Sequence, residues 1–542
     1  MYRSDALGPA PSLIRHLKAR KTKFVVALCA LILTQPFLAE VNASEGPTFT
    51  VSGYEVEGEN PLASDETQTL LEAFTGESRD VKTLQDAAKA LEQAIHELGY
   101  TFVRVILPRQ PLSGGQIKLQ VVRFALDNIE VRGNEFFTAE QVLRSLPGLE
   151  PGASPNTRKL SRSLAVAKQH PARQQKVTFS ASSKPGRIDA QVEVDDRDPV
   201  NIFTWINNTG SKKNGRYRSG LGYQNSNFLK RDHSTTITYT TSPTDTSKVE
   251  QYGAVYQVPL YKPGGQLSGF LAESSSDSGR VAEYFDISGR GSVLGAQYTQ
   301  YFARNQGYAP RLNFSITDKD FDNNVSFEDT PIGVDVRSRP VALRYLGDLK
   351  KEGYSVEFYA EYLRNWSSGS NNTREAYEAT RAGAEPGWDA VRYGAGFEKA
   401  LKDNWALIGR FDGQYSNEPL IAGEQFGVGG STTVRGFKGR EITGDRGMQL
   451  TLEAWSPALG KTSARGVVFA GAGRVRLVQA QPDEIRSDSI ASIGAGVNWN
   501  WQGRFNAQLD FGYVLNGVNE KREGGTRSGD ERVHFNLSYK FK

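Results

Sequence analysis

From residue 200 to the end of the chain, short segments in which apolar and polar side chains alternate return roughly every 21 residues. Residues 234–241 (STTITYTT), 354–363 (YSVEFYAEYL), 405–411 and 505–514 are clear examples. Alternation sends successive side chains to opposite faces, so each segment reads as a strand with one apolar and one polar side. Counting the segments gives about sixteen strands, and single-chain bacterial outer-membrane barrels carry an even number. Short turns at 261–265, 348–353 and 402–404 alternate with longer polar loops, as expected if short turns face the periplasm and long loops the outside. With 38% hydrophobic residues and a mean hydropathy of −0.49, the chain is too polar for a bundle of membrane helices. A membrane barrel tolerates that polarity, because lumen-facing residues dilute the lipid-facing ones. A soluble β-sandwich also alternates, but this many strands behind a secretory leader argue against it.

The leader occupies residues 1–43. Arg15, Lys18, Arg20, Lys21 and Lys23 precede an apolar run at 24–33, and Val41-Asn42-Ala43 supplies small residues for a signal-peptidase cut. The run is too short to anchor the chain across a bilayer. Cys29, the single cysteine, lies inside it and follows Leu28 instead of the small residue a lipoprotein site needs. The processed chain is therefore expected to lack disulfides, thiol catalysis and cysteine metal sites. The formal charge of +4 resides in the leader too, which carries six basic and two acidic residues and leaves the remainder neutral. No basic field is left to hold nucleic acid.

Between leader and barrel the texture changes. A strand at 48–56, helices at 65–74 and 81–98, and strands at 100–107 and 116–124 form one unit. Leu84, Ala87, Ala88, Leu91, Ala94, Ile95 and Leu98 stripe its second helix at helical spacing, and Gly99 ends it. The order repeats with a strand at 128–132, a helix at 138–146 capped by Thr138, a helix at 156–168, and strands at 176–182 and 187–195. The expected division is 44–125 and 126–199 for the two small α+β domains and 200–542 for the barrel.

Residues 427–447 read GVGGSTTVRGFKGREITGDRG, with seven glycines among twenty-one residues and Val434-Arg435-Gly436-Phe437 at the centre. Glycine lets a backbone double back and lie close against a wall. Arg435, at the centre of the stretch, offers a planar fork suited to a carboxylate in a confined space. By strand count this is the sixth external loop, 416–447. If Leu450, Leu452 and Ala454 face lipid, Glu453 points into the lumen; if Leu509, Phe511 and Tyr513 face lipid, Asp510 does. Arg435 is expected to pair with Glu453 or Asp510, the alternative being bonds to backbone carbonyls and water alone.

Catalysis finds no support. No G-x-S-x-G occurs. The five histidines (His16, His96, His170, His233, His534) show no metal-ligand spacing, and no motif calls for a cofactor. The acidic run Asp320-Phe321-Asp322-Asn323-Asn324 reads as a solvated loop before it reads as a calcium site.

VRGF in such a loop, behind two β-α-α-β-β units, resembles the two-partner secretion transporters (TpsB; ShlB/FhaC/HecB-like) of the superfamily that contains BamA. The resemblance covers nearly all of the chain after the leader. It implies two POTRA domains, the ending Ala190-Gln191-Val192-Glu193-Val194-Asp195-Asp196-Arg197-Asp198-Pro199 as the boundary with the barrel, and a loop folded into the lumen. It implies export of one large TpsA-type exoprotein, haemolysin-, haemagglutinin- or adhesin-like, captured as an added strand on a POTRA sheet edge. The edge expected here is Thr101, Phe102, Val103, Arg104, Val105, Ile106 and Leu107. Outer-membrane lipid, periplasmic chaperones and the barrel assembly machinery are the other implied partners, and folding of the cargo outside is the implied source of energy. Phe535, Leu537, Tyr539 and Phe541 resemble the terminal signal for barrel assembly, with Lys542 a departure after the aromatic. Two further departures stand out. Few residues separate Ala43 from the first strand, which leaves no evident plug helix, and Gly471 in Phe469-Ala470-Gly471-Ala472-Gly473 replaces the aspartate of the family's F-x-D-x-G strand motif. The alternative reading, a BamA-like insertase, calls for more than two POTRA domains.

Overall fold

The computed structural model describes residues 48–541 except 213, 276–279, 282–284, 287–289, 323–325, 328–329, 332–333 and 461. The expected leader, with Cys29 and His16, and part of the 320–324 run lie outside the described residues, as does Lys542. In the first small domain Gly53–Gly58 runs parallel to Gln116–Arg123, which pairs antiparallel with Val103–Ile106. Helices Ser64–Glu72 and Val81–Glu97 cover this sheet, and Leu84, Ala87, Leu91 and Ile95 are sealed between them and the strands. Asp80 starts the longer helix by accepting the Thr83 N–H at 2.8 Å. The strand expected at 48–56 is broken at Ser52, whose N–H donates to the Gly115 carbonyl at 2.7 Å. Its first residues, Phe49–Val51, pair with Gly76–Arg79 in a separate ribbon.

The second domain repeats the plan. Ala125–Arg132 lies parallel to Arg187–Asp196, and Arg173–Ala181 pairs antiparallel on its other side. Helix Ala139–Arg144 opens on a capping box between Thr138 and Gln141. Helix Thr157–Ala167 opens on Asn156, which accepts the Lys159 N–H at 3.0 Å and donates to the Leu98 carbonyl of the first domain at 3.0 Å. Phe102 and Phe179 meet across the same joint at 4.7 Å. Below the barrel, Arg173 holds the Asp232 carboxylate bidentately at 2.9 and 3.2 Å, and the Tyr261 hydroxyl donates to Asp232 at 3.1 Å. Val166 and Ala167 pack on Tyr261 and Tyr301, and Gln141 donates to Asn227 and to the Lys230 carbonyl at 3.1 Å. The second domain is thus fastened to the periplasmic turns of the first strands of the barrel.

The barrel is a closed antiparallel cylinder of sixteen strands, counting Val336–Ser338 and Pro340–Lys351 as one strand broken at Arg339, since both pair with Tyr308–Asp322. Val200–Asn207 is the first strand and Glu531–Lys540 the sixteenth, and the ring closes between them from Asn207↔Asn536 to Phe203↔Lys540. Outward residues such as Leu221, Ile237, Leu294 and Leu509 are exposed, as a lipid-facing surface must be. The lumen side carries ion pairs and polar groups, including Arg311–Asp348 at 2.6 Å and Arg344–Glu361 at 2.8 Å. In the last strand Val533 points outward with Phe535, Leu537 and Tyr539 in step with it, and Phe541 follows just beyond the strand, exposed. The sixth external loop, 416–445, leaves the eleventh strand (Ala406–Tyr415) and returns at the twelfth (Arg446–Ala458).

Candidate functional site in the barrel lumen

Inside the barrel the sixth loop forms a hairpin, Phe426–Val428 against Ile442–Gly444, whose tip carries VRGF. Val434 and Phe437 are fully buried with Val428, Ile442, Val475, Ile490 and Val514. Burying a phenylalanine and a valine contributes roughly 2–3 kcal/mol each and offsets part of the entropy lost in ordering a glycine-rich loop. Gly436 sits at φ +97°, a conformation costly to any side chain. There the chain turns and points Arg435 at the wall.

Arg435 is 5% exposed. It pairs with Glu453 of the twelfth strand, and its Nε lies 3.3 Å from Asp510 Oδ2 of the fifteenth strand (Phe505–Asn516). Nε also donates to the Ser431 carbonyl at 3.3 Å, and the guanidinium covers the Phe469 ring at 4.2 Å. Glu453 accepts the Trp455 indole N–H at 2.8 Å, and Asp510 accepts from Gln508 at 2.6 Å. Two carboxylates therefore face one guanidinium, each fixed by a second donor. Removing one member of such a buried set strands the others and costs about 3–5 kcal/mol.

Gly471 faces the loop directly. A Cβ there would lie 3.3 Å from Val434 Cα, so the loop backbone fills the space an aspartate side chain would occupy. The carboxylates stand instead one strand before it, at Glu453, and two strands after, at Asp510.

Several participants are absent from the sequence reading. His534, paired in register with Asp510, accepts the Gly436 N–H at 3.0 Å. Its alternation with Val533 and Phe535 places it inside, and that signal was available. Glu424 and Asp445 are fully buried loop carboxylates. Asp445 accepts the N–H groups of Leu420 at 2.9 Å and Val478 at 2.7 Å and both ends of Arg381, joining three external loops. Nothing in the local sequence announces this for Asp445, because its partners lie 25 to 64 residues away.

The expected client edge is arranged differently from a free strand. Val103–Ile106 does lie at the edge of its sheet. Yet the Val105 N–H donates to Glu92 at 2.9 Å, and His96 Nε2 donates to the Val103 carbonyl at 2.9 Å. Thr101 and Phe102 lie in the preceding turn, with Phe102 against Phe179, while Leu107 packs on the domain core. His170 is buried in the second domain and His233 bonds the Tyr256 hydroxyl at 2.6 Å. Among the described residues no group of three or more His, Cys, Asp or Glu is placed to hold a metal.

Residues 186–499, more than half of the chain, match the family described as haemolysin secretion/activation protein ShlB/FhaC/HecB, and residues 49–123 match the ShlB-type POTRA domain. The chain is similar to the outer membrane transporter CdiB of Dickeya dadantii, 21% identical over 493 residues that span 87% of this chain and 84% of the relative. It is also similar to the heme/hemopexin transporter protein HuxB of Haemophilus influenzae, 20% identical over 473 residues that span 82% and 79%. Its fold is that of CdiB from Escherichia coli, with a TM-score of 0.72 at 18% identity over 94% of this chain and 93% of the other. CdiB from Acinetobacter baumannii gives 0.68 at 15% identity over 96% and 94%. A closed sixteen-strand barrel holding VRGF in its lumen above POTRA-type domains, together with a family match over most of the barrel, makes the chain a member of the ShlB/FhaC/HecB family of two-partner secretion transporters in the outer membrane.

Proposed function

We propose that this chain is the export pore for one large secreted partner of the TpsA type, haemolysin-, haemagglutinin- or adhesin-like. The observation that carries the reading is the VRGF hairpin inside the lumen, held by Arg435 between Glu453 and Asp510. An export pore needs a lumen that is closed at rest and can be cleared, and a loop fixed by a few polar contacts over a small apolar cluster meets both needs. Away from the apolar patch under the hairpin, the ion pairs of the inner wall give an extended chain little apolar surface on which to stall. An unfolded client strand would enter at Val103–Ile106 by displacing Glu92 and His96 from the edge, trading side-chain bonds for backbone bonds. Lipid covers the outer face, and chaperones and the assembly machinery act before the barrel is in place.

The test is genetic. The gene is deleted and complemented with wild type or Arg435→Ala, and a large secreted protein encoded nearby is followed in the medium and on the cell surface. Export should vanish on deletion and fall at least roughly tenfold with Arg435→Ala, the loss expected when 1.4 kcal/mol or more of loop positioning is removed. Normal export with defective assembly of other barrels would replace the transporter with an insertase.

A further inference from the structure

The loop has a second anchor, on another stretch of the wall. Glu424, in the descending limb of the sixth loop, is fully buried, and no part of the VRGF site touches it. Its carboxylate receives Lys319 Nζ at 2.9 and 3.0 Å, the Ser338 hydroxyl at 2.9 Å and Arg392 Nη2 at 3.4 Å. These residues belong to the seventh (Tyr308–Asp322), eighth and tenth (Asp389–Ala400) strands. Gln414 of the eleventh strand donates to the Glu424 carbonyl at 3.0 Å and accepts from Arg392 at 2.7 Å, closing the network. The loop is rooted between the eleventh and twelfth strands; Glu424 reaches one way round the wall to strands seven, eight and ten, and Arg435 reaches the other way to strands twelve and fifteen.

We infer that the sixth loop is a bar latched at both ends inside the lumen, and that Glu424 is the positioning residue at its releasable end. The two ends differ in wetness. Arg435, Glu453 and Asp510 have side chains 6%, 2% and 0% exposed, whereas Lys319 and Arg392 are 19% and 27% exposed. Releasing Glu424 returns it to water and leaves two cations already partly solvated, whereas releasing Arg435 leaves two carboxylates stranded in a dry site. Once Glu424 lets go, the descending limb leaves the wall of strands seven to ten while Arg435 and Asp445 keep the rest of the loop in place. The inference rests on reading the chain as an export pore only in what passes through; closure itself is measured without cargo.

The first measurement is conductance of the purified full-length protein in planar bilayers. Glu424→Gln, nearly isosteric, should raise open occupancy roughly tenfold. The charge swap Glu424→Lys with Lys319→Glu should bring it back toward wild type. Barrel integrity is read from heat-modifiable migration on gels, which a folded variant retains. Unchanged conductance in a folded Glu424→Gln barrel overturns the inference. If that variant fails to fold, a Glu424→Cys/Ser338→Cys pair in a Cys29→Ser background decides. Oxidised, it should stay closed under voltages that open the reduced form; equal opening in both states refutes the latch. Secretion is scored separately. A latch that works in bilayers while no cargo is exported keeps this inference and removes the export reading.

Discussion

At position 512 the inner wall carries no side chain, and the loop occupies the space. A Cβ there would stand 2.7 Å from the Gly436 nitrogen and 2.9 Å from its Cα. Gly512→Val is expected to push the VRGF turn off the wall, cost about 1–3 kcal/mol of overpacking and lengthen the bond between Gly436 and His534. Thermal melting and channel recording of the same preparation check this; a variant as stable and as closed as wild type removes the close approach from the argument. The same crowding explains residue 471. Glycine there is compatible with Val434 pressed on the strand, and the charge that Arg435 needs comes from Glu453 and Asp510. The glycine-rich stretch singled out Arg435, and alternation pointed Glu453 and Asp510 inward as alternative partners; that both meet it is decided by how the loop folds. The Phe469 ring, Trp455 and His534 needed the register between strands.

Among the elements, helix Thr157–Ala167 does more than fill a core. Its cap residue Asn156 starts the helix through its side-chain oxygen and ties the first domain through its amide nitrogen. Two variants separate those roles. Asn156→Asp keeps the cap and loses the donor to Leu98, whereas Asn156→Ala loses both and should destabilise the second domain by about 1 kcal/mol. Distance distributions between spin labels on the two domains should broaden in both, and only the alanine variant should melt earlier. Equal distributions in all three proteins would show that the joint is held without the Asn156 amide, by Phe102 against Phe179 and by the Thr157 bonds to the Gly99 carbonyl. The edge strand Val103–Ile106 teaches a related lesson. Its alternation could be read from sequence, but its place at the edge is a matter of sheet order, and the neighbouring helix supplies Glu92 and His96 to its open backbone groups, which also guards against unwanted pairing.

For the whole molecule, the fastening of the second domain to the barrel is sensitive to pH. His170 lies edge-on to Phe137 at 5.1 Å and beside Arg173, which spans the junction to Asp232. Burial, reinforced by the Arg173 charge, pushes the His170 imidazole down to about 4, against 6.5 in the open chain. Between those values the unfolded chain binds a proton that the folded one refuses. Stability is therefore full above about pH 6.5 and declines as pH falls toward 4, by on the order of 3 kcal/mol. Hydrogen exchange on the intact protein in detergent, corrected for intrinsic rates, should show protection near Phe137 and Arg173 falling between pH 7.5 and 4.5. A His170→Gln variant should lose that slope. Protection independent of pH in wild type would contradict the assignment.

Fold class was written in the chain because a barrel strand declares itself locally: every second side chain meets lipid, and the turn must follow within a few residues. The two small domains declared themselves by the switch from that period to the helical one and back. The glycine-rich stretch with Val434-Arg435-Gly436-Phe437 at its centre, and the inward parity of Glu453 and Asp510, were equally local. What only the tertiary structure decided were relations between distant segments: that Glu424 meets Lys319, Ser338 and Arg392, that Asp445 joins three loops, and that Arg173 reaches Asp232. A buried ion pair needs complementary charges brought together from separate strands. Barrel closure and register set those distances, and no short window of sequence contains them.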